Sequence, residues 1–215
     1  LDHAISGNQI VVSRPWDGSG AQTVLASGGK SAFQEVALGP ANGLSAVRRG
    51  TEVADILLAP TESLSALRPF ITSAAHKVSP RVSPRGRLLA YSSNASGQNE
   101  IYLQQIPGPG PVVPVSVGGG QEPMWGVDES TLYYRGPTHL MAATIIERPA
   151  LAVTRRDSLF NDTKYSRYLQ HAAYDVFPNG REFLMTRGAA ADSRIYVIVN
   201  WVQMVGKQGG TGASR

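Results

Sequence analysis

One stretch of the chain, Val78 to Gly119, predicts the fold more directly than any other part. It reads VSPRVSPRGRLLAYSSNASGQNEIYLQQIPGPGPVVPVSVGG. Pro84 cannot donate to a strand ladder, and Gly86 can adopt the positive φ that a tight turn requires. The chain is therefore expected to turn back between a strand at Arg81 to Ser83 and a second strand at Arg87 to Ser93.

The second of these strands has the period of two that is typical of a strand packed between two layers. Its side chains divide into two faces, Leu88, Ala90 and Ser92 against Leu89, Tyr91 and Ser93. A polar hairpin loop, Asn94 to Asn99, leads into a third strand at Glu100 to Ile106, and a fourth is expected at Val112 to Val117. The stretch thus predicts four short antiparallel strands in sequence order.

The same order of strand, turn and strand recurs along the chain. The equivalent turn positions are Pro40, Pro84, Val127 and Pro178, which are spaced by 44, 43 and 51 residues. This spacing is the blade length of a β-propeller built from four-stranded sheets. We predict an all-β fold, a β-propeller or the C-terminal portion of one, with about four to five four-stranded blades. The extra residues of the third interval are assigned to Asn161 to Gln170.

The remaining predicted strands follow the same scheme. They are Gln9 to Arg14, Thr23 to Ala26, Phe33 to Leu38, Leu44 to Arg49, Asp55 to Pro60, Arg68 to Thr72, Ser130 to Arg135, His139 to Ile145, Leu159 to Phe160, Arg181 to Arg187 and Arg194 to Trp201, with further first strands inside Glu122 to Glu129 and Ala173 to Gly180. The first two resemble the last strands of a blade, and the chain ends on the first three strands of another.

These incomplete ends predict either ring closure or pairing between copies. If the two ends meet, the propeller closes within one chain; if they do not, open edges recruit partners by strand addition, and a homodimer is expected. We assign residues 1–205 to the propeller. The Gly/Ser/Thr-rich tail from Gly206 to Arg215 is predicted to be disordered.

Composition supports a globular, turn-rich chain and excludes several kinds of site. The 215 residues are 42% hydrophobic and 17% charged, with 23 Gly and 14 Pro. Cysteine is absent, which excludes disulfides, thiolate catalysis and thiolate metal sites. The net charge of +4 is dispersed along the chain, so no nucleic-acid partner is predicted. No apolar run reaches the length of a membrane span, and the leading Leu1 without a signal peptide indicates a processed or excised piece.

Several motifs resemble a known family. Ser83-Pro84-Arg85-Gly86, the hydrophobic strand with Ser93-Asn94, and Glu100-Ile101-Tyr102 are similar to TolB-like, WD-type propeller repeats. Gly120-Gln121-Glu122-Pro123-Met124-Trp125 and Val199-Asn200-Trp201 resemble the C-terminal propeller region of bacterial transmembrane serine/threonine kinases and transcriptional regulators. That resemblance implies a sensor-like module, periplasmic or extracellular. No kinase signature is present.

The chain departs from the repeat pattern at the turn aspartate. It survives as Asp128, but Ala41, Arg85 and Asn179 replace it in the other units. These replacements remove the carboxylate that caps such turns, and no ion site built from repeated aspartates is expected.

The sequence holds few candidates for catalysis, and no catalytic residue, metal ligand or cofactor is predicted. Gly-x-Ser-x-Gly does not occur. The four histidines, at positions His3, His76, His139 and His171, lack metal-ligand spacing. Asp55 and Glu100 occupy the same position in two units, where they serve either as an acid/base pair or, as we favour, as loop-fixing hydrogen-bond acceptors.

Candidate ligand-binding residues are aromatic or basic. Trp16 beside an Asp-Gly turn is expected to be exposed, whereas Trp125 is expected to pack between blades. The insertion is surrounded by basic and tyrosine side chains that suit an anionic ligand: Arg155, Arg156, Lys164, Tyr165, Arg167 and Tyr168.

Two functions remain open at this point. The first is a non-catalytic scaffold or sensor that binds a protein, peptide or glycan, and the second is a hydrolase or lyase with a site on the propeller face. Titratable side chains that converge on a central pocket would favour the enzyme. The strand register further predicts a core of Val82, Leu89, Tyr91, Ile101, Leu103, Trp125, Leu132, Tyr134, Val176, Phe183, Met185, Tyr196 and Ile198, and positive φ at Gly86 and Gly180.

Overall fold

The computed structural model describes residues 10–15, 17–27, 33–39, 44–49, 53–60, 63, 66–108, 110–168 and 171–188. Within these ranges the chain is built from antiparallel β-strands. In order they are β1 (Ile10–Ser13), β2 (Thr23–Ser27), β3 (Phe33–Leu38), β4 (Leu44–Arg49), β5 (Asp55–Pro60), β6 (Arg68–Ile71), β7 (Lys77–Val82), β8 (Leu88–Ser93), β9 (Glu100–Gln105), β10 (Val113–Pro114), β11 (Gln121–Trp125), β12 (Thr131–Arg135), β13 (His139–Ile146), β14 (Ala152–Asn161), β15 (Tyr174–Val176) and β16 (Phe183–Met185).

The described strands form five sheets in which neighbours in sequence are neighbours in space. Three sheets have four strands each and are called blade I (β3–β6), blade II (β7–β10) and blade III (β11–β14). The pairs β1–β2 and β15–β16 form two-stranded sheets. This meander order is that of propeller blades, and it confirms the predicted all-β fold.

The sheets pack face to face, and β8 shows how. Its Leu89 and Tyr91 pack with Ile56 of blade I. Its Leu88 and Ala90 face the other way and pack with blade III. Both faces of the strand are therefore buried, as the two-fold alternation of the sequence predicts. Similar apolar clusters join β1–β2 to blade I and blade III to β15–β16.

The first strands of neighbouring blades lie side by side and are linked by carboxylates. Glu35 on β3 accepts the backbone N–H of Ser79 on β7 at 3.0 Å. Glu122 on β11 accepts the backbone N–H of Ala173, which precedes β15, at 2.7 Å. These pairs are 44 and 51 residues apart, so each carboxylate reaches the equivalent position of the next unit. Trp125 also crosses between blades, because its indole N–H donates to the carbonyl of Arg81 at 3.0 Å.

Three predicted strands differ from the structure by more than two residues at one end. β7 begins at Lys77, earlier than predicted, because a bulge at Ser79, with φ 53°, lets the strand continue past a proline. β10 spans only Val113–Pro114, because the next two N–H groups, of Val115 and Ser116, both donate to the single carbonyl of Ile101 and do not continue the ladder. β14 covers Ala152–Asn161 instead of two residues. Its polar sequence hid it, since an edge strand with an exposed face need not be apolar.

The predicted turn glycines are confirmed. Gly86 has φ 71° and Gly180 has φ 65°, in the left-handed region that favours glycine. At two turns that lack the aspartate of the repeat pattern, other side chains accept the backbone N–H groups. The Ser83 hydroxyl accepts the N–H of Leu88 at 3.0 Å, and the Asn179 side-chain carbonyl accepts that of Arg181 at 2.9 Å.

The predicted core is confirmed where the structure describes it. The buried members are Val82, Leu89, Tyr91, Ile101, Leu103, Leu132 and Tyr134. Those half-buried are Trp125, Val176, Phe183 and Met185. Tyr196 and Ile198 lie outside the described residues.

The incomplete ends of the propeller are not joined to each other within the described ranges. There β1–β2 and β15–β16 belong to separate sheets. The predicted strand at Arg194 to Trp201 and the predicted tail from Gly206 to Arg215 lie outside those ranges, so closure and dimerisation stay predictions. None of the described residues forms a helix long and apolar enough to cross a membrane.

Candidate functional site

The basic candidates of the sequence fall into two groups. Arg155 and Arg156 lie on β14 rather than in a loop. Arg155 is exposed and pairs with Asp157 at 2.8 Å. Arg156 donates to the carbonyl of Val115 at 2.5 Å, which ties blade III to blade II. Both guanidinium groups are therefore already bound to protein oxygens.

The second group lies in the connection after β14. The ammonium of Lys164 lies 5.7 Å from the centroid of the Tyr165 ring. Arg167 donates to the Asp162 carboxylate and, at 2.6 Å, to the carbonyl of Gly136. Tyr168 is 48% exposed and stacks on His171 with centroids 4.7 Å apart. Lys164 and Tyr168 are thus the members of this group whose side chains are most available to a ligand.

The two groups do not surround one pocket. Arg167 lines a pocket of about 260 Å³ between blades II and III, together with Arg135 and glycines 118–120. The lining of that pocket does not include the other basic and tyrosine candidates. Trp16 lies outside the described residues. The ligand-binding role of all these residues stays a prediction.

Sequence reasoning missed the residue that holds the second group in place. Arg135, at the end of β12, is fully buried and donates to the Asp162 carboxylate at 2.6 Å and to the Asp162 carbonyl at 3.1 Å. It also donates to the carbonyl of Ser166 and lies 3.8 Å from the Glu122 carboxylate. A buried arginine with several acceptors is an anchor, and here it fixes the connection that follows β14.

Burial raises the pKa of the Glu122 carboxyl. The backbone N–H groups of Ala173 and Tyr168 and the Arg135 guanidinium partly offset this increase. The carboxyl accepts both N–H groups, at 2.7 Å and 3.1 Å. Glu122 therefore joins the connection after β14 to the start of the next sheet.

The repeated acids Asp55 and Glu100 lie at the starts of β5 and β9, in two different blades. Glu100 is buried and accepts hydrogen bonds from the Ser116 hydroxyl, the Gly119 N–H at 2.8 Å and the Gln98 amide at 2.7 Å. These bonds fix the loop between β10 and β11, which is the loop-fixing role favoured by the sequence. Asp55 starts β5 in blade I, where its charge acts on Lys77.

A pocket of about 360 Å³ lies between blades I and II, and we call it the interblade pocket. It is lined by Phe70, Ile71, Thr72, Ser73, Lys77, Tyr91, Ser93, Ala95, Tyr102, Gln104 and Val112. Residues 70–73, from the end of β6 and the connection after it, form one wall. The register pairs Tyr91 with Tyr102 and Leu89 with Gln104, so these side chains share the face of blade II that forms the other wall.

Two titratable groups of the interblade pocket have shifted pKa values. Burial lowers the pKa of the Lys77 ammonium, and the Asp55 carboxylate partly offsets this. The ammonium donates to the carbonyls of Ser73 at 2.9 Å and Ala75 at 2.7 Å, and to the Ser73 hydroxyl at 3.0 Å. Burial, with a smaller effect of Tyr102, raises the pKa of Tyr91 to about 12.

The sequence showed parts of the interblade pocket but not the pocket itself. Tyr91 and Tyr102 were recognised as strand residues, and their facing register follows from the hairpin. Phe70 is brought to them only by packing of blade I on blade II. No local pattern links residues from two separate sheets, so the pocket had no sequence signature.

The histidines that the structure describes make separate contacts. His139 is hydrogen-bonded to the Thr138 hydroxyl at 2.9 Å, and His171 is the ring on which Tyr168 stacks. Across the part of the chain that the structure describes, no group of three or more His, Cys, Asp or Glu side chains is arranged to hold a metal ion.

Comparison with known proteins identifies the fold. No protein-family model matches the sequence, and no curated protein matches it. Among solved structures, TolB from Acinetobacter baumannii superposes with a TM-score of 0.58 at 14% identity, over 82% of this chain and 42% of that one. Putative TolB from Agrobacterium tumefaciens gives a TM-score of 0.54 at 16% identity, over 74% of this chain and 59% of that one.

This chain therefore spans about four to six tenths of the length of the TolB structures that it matches. At this level of identity the likeness is one of fold. Consecutive four-stranded meanders packed face to face, together with these superpositions, show that the chain has a TolB-like β-propeller fold.

Proposed function

We propose that the chain is a non-catalytic binding module that presents its loops and the grooves between its blades to a partner protein. The observation that carries this proposal is the use of three of its buried carboxylates. Those of Glu100, Glu122 and Asp162 are each bound to backbone N–H groups, hydroxyls or arginines that join loops and blades. A carboxylate that serves as a structural acceptor is not free to exchange protons with a substrate.

The interblade pocket contains titratable side chains, but their arrangement does not support the alternative of a hydrolase or lyase. In the interblade pocket, Lys77 uses its ammonium for three protein acceptors. The raised pKa of Tyr91 makes its hydroxyl a poor source of a phenolate base near neutral pH. The pocket lies between two blades. A hydrolase or lyase site would need an acid and a base that both face the substrate.

The resemblance to sensor-like propellers supports a more specific proposal about the role and location of the module. The module is a ligand-sensing part of a longer bacterial protein and faces the periplasm or the outside of the cell. The exposed Lys164 and Tyr168 are then a second contact surface, suited to an anionic group of the partner.

The proposal is tested by measuring turnover and binding with one set of purified proteins. Wild type and the Asp55→Asn and Glu100→Gln variants are assayed on chromogenic esters, glycosides and peptides, and all three are applied to peptide and glycan arrays. We expect saturable binding without turnover above buffer. The proposal is overturned if the wild type turns over a substrate and either variant abolishes that turnover. The circular dichroism of that variant must then match that of the wild type.

A further inference from the structure

The interblade pocket holds two neutral polar side chains that the protein leaves unused. Tyr91 is 4% exposed and Gln104 is 7% exposed, and both line the pocket. No described residue is hydrogen-bonded to the Tyr91 hydroxyl or to the Gln104 amide. Neither group belongs to the buried polar atoms that lack a partner, so both keep atoms open to solvent at the pocket and are available to a ligand that enters it.

The walls around these groups are apolar and aromatic. Phe70 and Ile71 come from blade I, and the Tyr91 and Tyr102 rings on blade II lie with centroids 5.8 Å apart. Val112 stands at the pocket with 49% of its surface exposed. Ligand sites commonly combine such apolar walls with a few placed polar groups, in volumes of about 300–1,000 Å³.

The pocket has no free charge to offer. Lys77 is the charged residue of its lining, and all three ammonium protons go to Ser73 and Ala75. An ionised ligand group would lose its hydration in the pocket without gaining a partner. The chemistry therefore selects a neutral ligand.

We propose that the interblade pocket binds an apolar side chain of a partner peptide, with the Gln104 amide pairing to the peptide unit beside it. A primary amide carries both a donor and an acceptor, which matches the N–H and C=O of a backbone amide. A sugar ring presents hydroxyls on most sides and would meet the apolar wall of Phe70, Ile71 and Val112 with polar groups unpaired. The peptide is therefore favoured over the glycan.

This inference rests on the proposed binding function and names the partner chemistry at one site. Its test uses N-acetyl-phenylalanine amide as the probe, because it carries an apolar ring and two neutral amides. Methyl glucoside is the glycan arm, and N-acetyl-aspartate amide is the charged arm. Binding to the full chain is followed by NMR chemical-shift titration.

Two exposed valines supply matched variants. Val112→Trp fills the pocket, and Val117→Trp places the same ring outside it, where the valine is 78% exposed. We expect the phenylalanine probe to bind wild type and Val117→Trp equally, and not to bind Val112→Trp. Gln104→Leu removes one neutral hydrogen-bonding group and is expected to weaken binding about three- to tenfold.

Three results overturn the inference: no binding of the phenylalanine probe, binding that Val112→Trp leaves unchanged, or preferential binding of methyl glucoside or the charged probe. In each case the proposed binding function survives if the arrays still show binding without turnover. Turnover lost in Glu100→Gln would instead remove the proposed function, so the two failures are distinguishable.

Discussion

Replacement of Arg135 by Met tests the anchor of the connection that follows β14. The side chain is completely buried, and its guanidinium donates to the Asp162 carboxylate at 2.6 Å and lies 3.8 Å from the Glu122 carboxylate. Methionine preserves much of the volume but leaves both carboxylates without this cation. Removing one partner of a buried ion pair costs about 3–5 kcal/mol when the remaining charge is left unpaired. Here Arg167 still contacts Asp162 and two backbone N–H groups still reach Glu122, so we expect a loss near the lower end, about 3 kcal/mol.

The expected loss is a large share of the total, since domains unfold with about 5–15 kcal/mol. It is measured by urea unfolding with linear extrapolation at pH 7, with Arg155→Met as the matched control. Arg155 pairs with Asp157 through a side chain that is 72% exposed, so the control is expected to stay within about 0.5 kcal/mol of wild type.

The effect of Arg135→Met also depends on pH in a known direction. Burial raises the folded pKa of Glu122, so this group favours folding below its unfolded pKa, and that contribution is lost as the pH rises through the folded value. Loss of Arg135 raises the folded pKa further. The deficit of the variant is therefore expected to shrink as the pH falls from 7 towards about 4.5. A deficit below about 1 kcal/mol at pH 7, or one that does not change with pH, refutes the anchor role.

Three other predictions concern packing, a turn and a buried tyrosine. Leu103→Ala should lower the free energy of unfolding by about 2–5 kcal/mol in urea titrations, because it opens a cavity between blades II and III; a loss below about 1 kcal/mol would contradict this packing. Gly86→Val should cost about 1 kcal/mol or more at φ 71°, whereas Gly188→Val, with no atom within 4 Å of its Cβ, should cost less; equal thermal midpoints would argue against strain at this turn. Because the folded pKa of Tyr91 is raised to about 12, its contribution to stability is present below the unfolded value near 10.0 and is lost above it. The wild type should therefore lose up to about 2–3 kcal/mol more than Tyr91→Phe between pH 9 and about 12, and parallel pH profiles would contradict the shift.

The amino-acid sequence by itself determined the blades. The recurrence of Pro84 and its equivalents, the glycines that follow two of these turns and the two-fold alternation in β8 predicted the strand order and the buried faces correctly. These features depend on residues close together in the chain, where turn stereochemistry and side-chain alternation act. The same local logic missed β14, whose exposed edge carries no apolar pattern, and the bulge that starts β7 early.

The tertiary structure alone decided which polar residues became anchors and where a ligand can enter. Arg135 meets Asp162 across 27 residues, Glu122 meets Ala173 across 51, and Phe70 faces Tyr102 from another sheet. The spacing of such pairs follows from how twisted sheets pack against each other, and no periodicity of one sheet encodes it. The sequence does not distinguish Arg135 from Arg155. The fold buries Arg135, which joins separate elements, and leaves Arg155 on the surface. Their roles differ because desolvation acts only where the fold excludes water.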